Sequence, residues 1–119
     1  MRPRLTGNVG ARVKKPAILL VDDDLLLLAL TAEILTDLGY QVTTAQNGSQ
    51  ALAVLQSGHP VDMLVTDVQM PDLHGFELAR RAKQIRPVVA VLYCTGRTDL
   101  IVEEMGPALG PVITKPVVA

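Results

Sequence analysis

Three apolar runs in this 119-residue chain end in charged side chains. Ile18 to Val21 is followed by Asp22, Asp23 and Asp24; Val61 to Thr66 ends in Asp67; Val112 to Thr114 ends in Lys115 and Pro116. Short apolar runs rich in β-branched residues, closed by turn residues such as Pro71 and Gly75, read as strands buried on both faces of a parallel sheet. In open α/β sheets the carboxyl ends of the strands border the crevice where ligands and chemistry collect. Asp22, Asp23, Asp67 and Lys115 therefore converge on one edge, as an acidic pocket with one cation. Carboxylates this crowded repel unless something cationic joins them. Magnesium suits the set, because it takes oxygen ligands and is usually held by one or two carboxylates plus a phosphate. In such a pocket a carboxylate can attack phosphorus and form an acyl phosphate, provided that metal and nearby donors neutralise the transferred group. Asp67 is the candidate nucleophile, Lys115 the cation and Thr95 a hydroxyl donor.

The elements that must position these residues follow from the rest of the pattern. After the first strand, Ala17 to Val21, apolar residues recur at Leu27, Leu30, Ile34 and Leu38 until Gly39 stops the helix. The opening Leu25 to Leu28 covers more than one helix face, so one or two of these leucines should stay near solvent. Gln41 to Ala45 is a second strand, and Asn47-Gly-Ser caps a helix that runs to about Ser57, with Ala51, Leu52 and Leu55 as its buried stripe. The central strand, Val61 to Asp67, follows. Phe76 to Arg86 is helical, with Leu78, Ala79, Ala82 and Ile85 on one side and Arg80, Arg81 and Lys83 on the other. Val88 to Cys94 is a fourth strand, Asp99 to Met105 a brief helix broken by Gly106 and Pro107, and Val112 to Thr114 a fifth strand. Strands alternating with helices predict a doubly wound α/β fold on a five-stranded parallel sheet.

Composition narrows the function classes. The length suits one domain. A net charge of −1 supplies no field for nucleic acid or an anionic membrane, and no apolar segment reaches the roughly 20 residues of a membrane span. Five of the eleven basic residues lie in the first fifteen positions, which read as a flexible leader ahead of a domain over residues 16–119. Cys94 is the only cysteine, so no intramolecular disulfide forms; a buried, inert thiol in a cytoplasmic protein is the expectation.

The ordered set of Asp22-Asp23, Asp67 within Asp67-Val-Gln-Met-Pro-Asp-Leu-His-Gly75, Thr95-Gly96 and Lys115-Pro116 resembles the receiver domain of bacterial two-component response regulators. The resemblance runs from about Ala17 to Pro116. It implies a flavodoxin-like sheet in the order 2-1-3-4-5 and phosphotransfer from a histidine kinase or phosphotransfer protein to Asp67. It also implies magnesium bound by Asp23, Asp67 and the backbone carbonyl of Gln69, with Asp22 close to the metal or holding a metal-bound water. Gln69 and Arg97, two residues beyond the acceptor and the threonine, would tune dephosphorylation. Leu25 and Leu28, near the start of the first helix, would form an apolar kinase-docking patch.

The sequence departs from the family at three places. Val112 stands where an aromatic switch residue is usual. Gly106 and Pro107 shorten the fourth helix. The chain stops at Ala119, so the fifth helix is expected to be absent or truncated, leaving Val88 to Tyr93 and Val112 to Val118 open to a partner or a second copy. Two other functions compete with a phosphoacceptor module. One is a receiver-like interaction or dimerisation protein that works without phosphorylation. The other is a phosphohydrolase with an aspartyl-phosphate intermediate, against which Gln69 stands where a general acid would be needed. Simpler roles are expected for several charged residues. Asp24 caps the first helix, His59 and His74 lie on surface turns, and Arg80, Arg81 and Lys83 form a solvated face; for Lys115 a plain solvated lysine is the alternative to the pocket cation.

Overall fold

The computed structural model describes residues 15–95 and 111–114. The elements in chain order are β1 (Ala17–Val21), α1 (Leu25–Asp37), β2 (Gln41–Ala45), α2 (Gly48–Gln56), β3 (Met63–Asp67), α3 (Gly75–Ile85), β4 (Ala90–Thr95) and β5 (Val112–Thr114). All strand pairs are parallel and the sheet order is β2-β1-β3-β4-β5. The order reverses between β1 and β3, which places the crevice of a doubly wound sheet above those two strands. The expected shortening of a fourth helix and loss of a fifth fall outside the described residues, as do the basic leader up to residue 14 and the tail over residues 115–119.

Alternation along the strands feeds two cores. Leu19, Val21, Leu64, Val91 and Tyr93 face α2 and α3, where they pack with Ala51, Leu55, Leu78 and Ala79. Ile18, Leu20, Val65 and Cys94 face the other way and pack with Leu28 of α1. Burying each of the larger aliphatic side chains contributes about 2 kcal/mol. Cys94 is buried, as the sequence suggests.

The buried stripe of α1 differs from the sequence expectation. Leu28 and Thr31 are buried and Leu35 packs on the core, whereas Leu30 and Leu38 are exposed. With leucine at four successive positions, periodicity alone does not say which side faces the sheet. Ending α1, Gly39 adopts φ 103°, which lets the amide of Tyr40 donate to the Leu35 carbonyl at 3.1 Å. β3 begins two residues later than the apolar run; Asp62 just before it bonds to both neighbouring strands, its amide donating to the Ala17 carbonyl at 2.7 Å, its carbonyl accepting the Ala90 amide at 3.1 Å and its carboxylate accepting the Ala17 amide at 2.7 Å. The opening expected at residues 88–93 is also narrower. Val88 is 95% exposed, but Val89, Val91 and Tyr93 are buried beneath α3, and Tyr93 meets Phe76 edge to face with ring centroids 4.8 Å apart.

Candidate phosphoacceptor site

Asp67 is the last residue of β3 and is buried at its carboxyl end. Asp22, also buried, follows β1 directly, with exposed Asp23 beside it. One ligand atom from each of Asp22, Asp23 and Asp67 lies within 4.8 Å of the others, so the three could hold one metal ion. The backbone explains why the acids meet. β1 and β3 are adjacent, with Val21 aligned to Thr66, so the residues that follow each strand emerge side by side. Asp22 is fixed further by accepting the Asp24 amide on Oδ1 at 2.9 Å. Asp24 in turn caps α1, accepting the Leu27 amide at 3.1 Å, as its sequence position suggests.

The loop that follows Asp67 curls over the strand end. The Gly75 amide donates to the Val68 carbonyl at 2.6 Å, closing the loop at its base. Gln69 is exposed and lines an open depression of about 370 Å³ with Asp23, Met70, Pro71 and His74. This is the solvent-facing side of the acidic cluster. His74 caps α3 through Nδ1, which accepts the Phe76 amide at 3.2 Å.

The other expected site residues are described less completely. Thr95 closes β4 and pairs with Thr114, one step beyond the register position where Cys94 neighbours Asp67. The Thr95 side chain, Arg97 and Lys115 lie outside the described residues. Val112 opens β5 opposite Tyr93 in register, so a buried aromatic ring stands on the strand adjacent to the altered switch position. The docking patch is corrected in one half. Leu25 is 56% exposed, but Leu28 is only 5% exposed, because its side chain packs into the core of Ile18, Leu20 and Val65. Leu26, at 72% exposed, is the outward neighbour of Leu25.

Two polar anchors are absent from the sequence reading. The Asp72 carboxylate accepts the amides of Gly48 and Ser49 at 3.1 and 3.0 Å and the Ser49 hydroxyl at 3.0 Å. The Arg86 guanidinium donates to the Leu55 and His59 carbonyls at the end of α2. The available signal for Asp72 was indirect: Asn47 can cap only part of the first turn of α2, leaving two amides to be met by another segment.

A parallel sheet in this order, with a carboxylate triad at the β1 and β3 ends, defines a receiver-type fold with an acidic, oxygen-only site. The chain belongs to the response regulator receiver domain family, whose sequence profile matches residues 18–119. It is 40% identical over 79 residues to the response regulator receiver protein CpdR of Brucella abortus, covering 66% of this chain and 65% of that protein. It is 33% identical over 95 residues to the autoinducer 1 sensor kinase/phosphatase LuxN of Vibrio campbellii, covering 80% of this chain but only 11% of that protein. The chain thus spans about a tenth of the length of the sensor kinase it matches. Among solved structures, a CheY-like receiver domain protein from Methanospirillum hungatei superposes with a TM-score of 0.77 at 30% identity, covering 88% of this chain and 85% of that one. The response regulator TrrA of Thermotoga maritima, in complex with Mg(2+)-BeF, superposes with a TM-score of 0.76 at 28% identity, covering 85% and 87%. Among the described residues no helix is long and apolar enough to cross a membrane.

Proposed function

We propose that this chain is a phosphoacceptor signalling module that receives a phosphoryl group on Asp67 from a histidine kinase or phosphotransfer protein and changes its partner interactions as a result. The observation that carries this reading is the convergence of Asp22, Asp23 and Asp67 at one strand edge, with Asp67 at the end of the central strand. An Asp67 carboxylate oxygen bonds to phosphorus as the bond from phosphorus to the kinase imidazole breaks, and the electron pair leaves with the imidazole nitrogen. The site is open beside Gln69 and Asp23, which leaves room for a donor side chain to approach.

The donor set is all oxygen and strongly acidic, and so fits a hard divalent cation. Magnesium would be held by Asp23, Asp67 and the Gln69 carbonyl, with Asp22 behind them, and would supply charge neutralisation for the transferred group. The Mg(2+)-BeF complex of TrrA supports this choice of ion. Asp22 orders the turn into α1 through its bond to the Asp24 amide. Thr95 and Lys115 are the proposed donor and cation for the phosphoryl oxygens. Gln69 and Arg97 would set the rate at which water reaches the acyl phosphate. The module is an acceptor rather than an enzyme, apart from hydrolysis of its own phosphoryl group, and we place it in the cytoplasm with its kinase. Leu25 and Leu26, both exposed at the start of α1, are the proposed docking residues.

Intact mass after incubation with acetyl phosphate and magnesium tests the reading. The expected result is a gain of ~80 Da, one phosphoryl group, that requires the metal and is lost in Asp67→Asn. A folded, magnesium-binding protein that gains no mass from acetyl phosphate or from a kinase would overturn it. One observation favours the second reading, an interaction or homodimerisation module acting without phosphorylation. An apolar depression of about 270 Å³ lies between α1 and the sheet, lined by Ile18, Leu35, Tyr40, Met63 and Leu92.

A further inference from the structure

The first turn of α2 presents backbone amides that its own cap does not satisfy. Asn47, the cap, accepts the Gln50 amide at 2.8 Å, and Gln50 reaches back to the Gln46 amide at 2.8 Å. This resembles a capping box, except that the return bond reaches the amide of the residue before the cap. It leaves the amides of Gly48 and Ser49 pointing out of the helix end, where a negative charge is favoured. The acceptor comes from the loop after Asp67. Asp72 takes the Gly48 amide on Oδ1 and the Ser49 amide and hydroxyl on Oδ2. Partial desolvation pushes the Asp72 carboxyl up, but these donors together outweigh it and hold the group below its ordinary value.

A second contact seats the same loop. A Cβ placed on Gly48 would lie 2.5 Å from Leu73 Cβ, so loop and helix approach as closely as glycine permits. With the Gly75 amide bound to the Val68 carbonyl, the segment between Asp67 and α3 is pinned at both ends. Gln69 lies between the pins, and Asp23 and Asp72 line the same surface depression beside Asn47 and Pro71. We infer that Asp72 is a positioning residue for phosphoryl transfer: by clamping the acceptor loop to the N-terminus of α2, it holds Gln69 and the Asp67 backbone in register with the acids after β1. The inference rests on the reading of Asp67 as the phosphoacceptor. Small misplacements of reacting groups are costly in rate, which gives a clamp outside the reacting set its leverage.

The test compares the full chain with Asp72→Ala and Asp72→Asn in phosphorylation by acetyl phosphate and magnesium, at a temperature where melting curves show all three folded. Amide exchange of Gly48, Ser49 and residues 68–74 is followed alongside. The expected result for Asp72→Ala is a fall of about tenfold in maximal rate, an unchanged half-saturating acetyl phosphate concentration and faster exchange in the loop. Asp72→Asn, which keeps one acceptor oxygen, should recover part of the rate. A wild-type rate in Asp72→Ala overturns the proposal, as does equal slowing of both variants that tracks their melting temperatures. If the wild-type protein takes no phosphoryl group, the acceptor reading itself falls. In that case exchange still decides whether the clamp exists, and unchanged exchange in Asp72→Ala removes it as well.

Discussion

Gly75 packs directly on the backbone of Asp67: a Cβ at Gly75 would lie 2.1 Å from the Asp67 carbonyl oxygen and 2.9 Å from Val68 Cα. No rotamer change relieves a clash with backbone atoms. The start of α3 is thus seated on the residue proposed to carry the phosphoryl group, and the Thr66 hydroxyl donates to the same carbonyl at 2.9 Å. Gly75→Ala should destabilise the domain by about 1–3 kcal/mol through overpacking. It should also slow acetyl phosphate labelling at temperatures where the variant is folded. Urea unfolding and intact mass measure the two effects, and wild-type values in both would show that α3 can move away without disturbing Asp67.

The two leucines once grouped as a docking patch should separate cleanly. Leu28→Ala removes a side chain buried against Ile18, Leu20 and Val65, and its expected cost is about 2–5 kcal/mol in urea unfolding. Leu25→Ser changes an exposed position and should alter stability by no more than about 0.5 kcal/mol. If α1 docks the kinase, Leu25→Ser combined with Leu26→Ser slows transfer from the cognate kinase and leaves labelling by acetyl phosphate unchanged. Equal slowing in both assays would remove docking as the role of these residues.

Charge at the ends of apolar runs made the strand ends and the acidic cluster legible in the sequence. β1 begins and ends where the hydrophobic pattern does, because Pro16 before it and the acids from Asp22 onward leave no ambiguity. The face of α1 was not legible, since Leu25 to Leu28 satisfies every helical phase and the core selects Leu28, Thr31 and Leu35 by their distance from β1 and β3. Contacts across long separations were also hidden. Asp72 meets Gly48 and Arg86 meets the Leu55 carbonyl 24 and 31 residues away, and only the packing of α2 beside α3 brings them together. Arg86 secures the far end of α2 much as Asp72 secures its start. Arg86→Ala should cost about 1–3 kcal/mol in urea unfolding by leaving those carbonyls without charged donors.

On the outer face of α3, Glu77 accepts from Arg80 and Arg81 at distances down to 2.5 and 3.0 Å. The face expected to be merely solvated is therefore a small ion-pair network. The Arg80 hydrogen bond, and after it that of Arg81, holds the Glu77 carboxyl down at about 2 against an ordinary 4.5. A folded-state value below the unfolded one contributes stability that is complete above the ordinary value and is lost as pH falls toward 2. Arg80 and Arg81 are exposed and Glu77 is about a third exposed, so the contribution is small and screened by salt. Glu77→Gln should melt slightly below wild type near neutral pH, with the gap closing between pH 4.5 and 2 and shrinking at high salt. A gap that stayed constant with pH would show that packing, not charge, is responsible.

Asp22 and Asp23 are adjacent but should respond differently to loss of charge. Asp22 is buried and accepts the Asp24 amide, so Asp22→Ala strips a partner from that amide at the entry to α1 and should cost about 1–3 kcal/mol. Asp23 is exposed, and its charge lies within reach of the other two carboxylates. With no cation bound, that proximity is repulsive. Asp23→Asn should therefore raise the melting temperature in chelator, while abolishing most of the increase that magnesium gives the wild-type protein. Magnesium stabilises with the logarithm of one plus the ratio of its concentration to the dissociation constant, so a magnesium titration of the melting temperature reads the affinity loss. A lower melting temperature for Asp23→Asn in chelator, together with an undiminished response to magnesium, would place the cation away from this cluster.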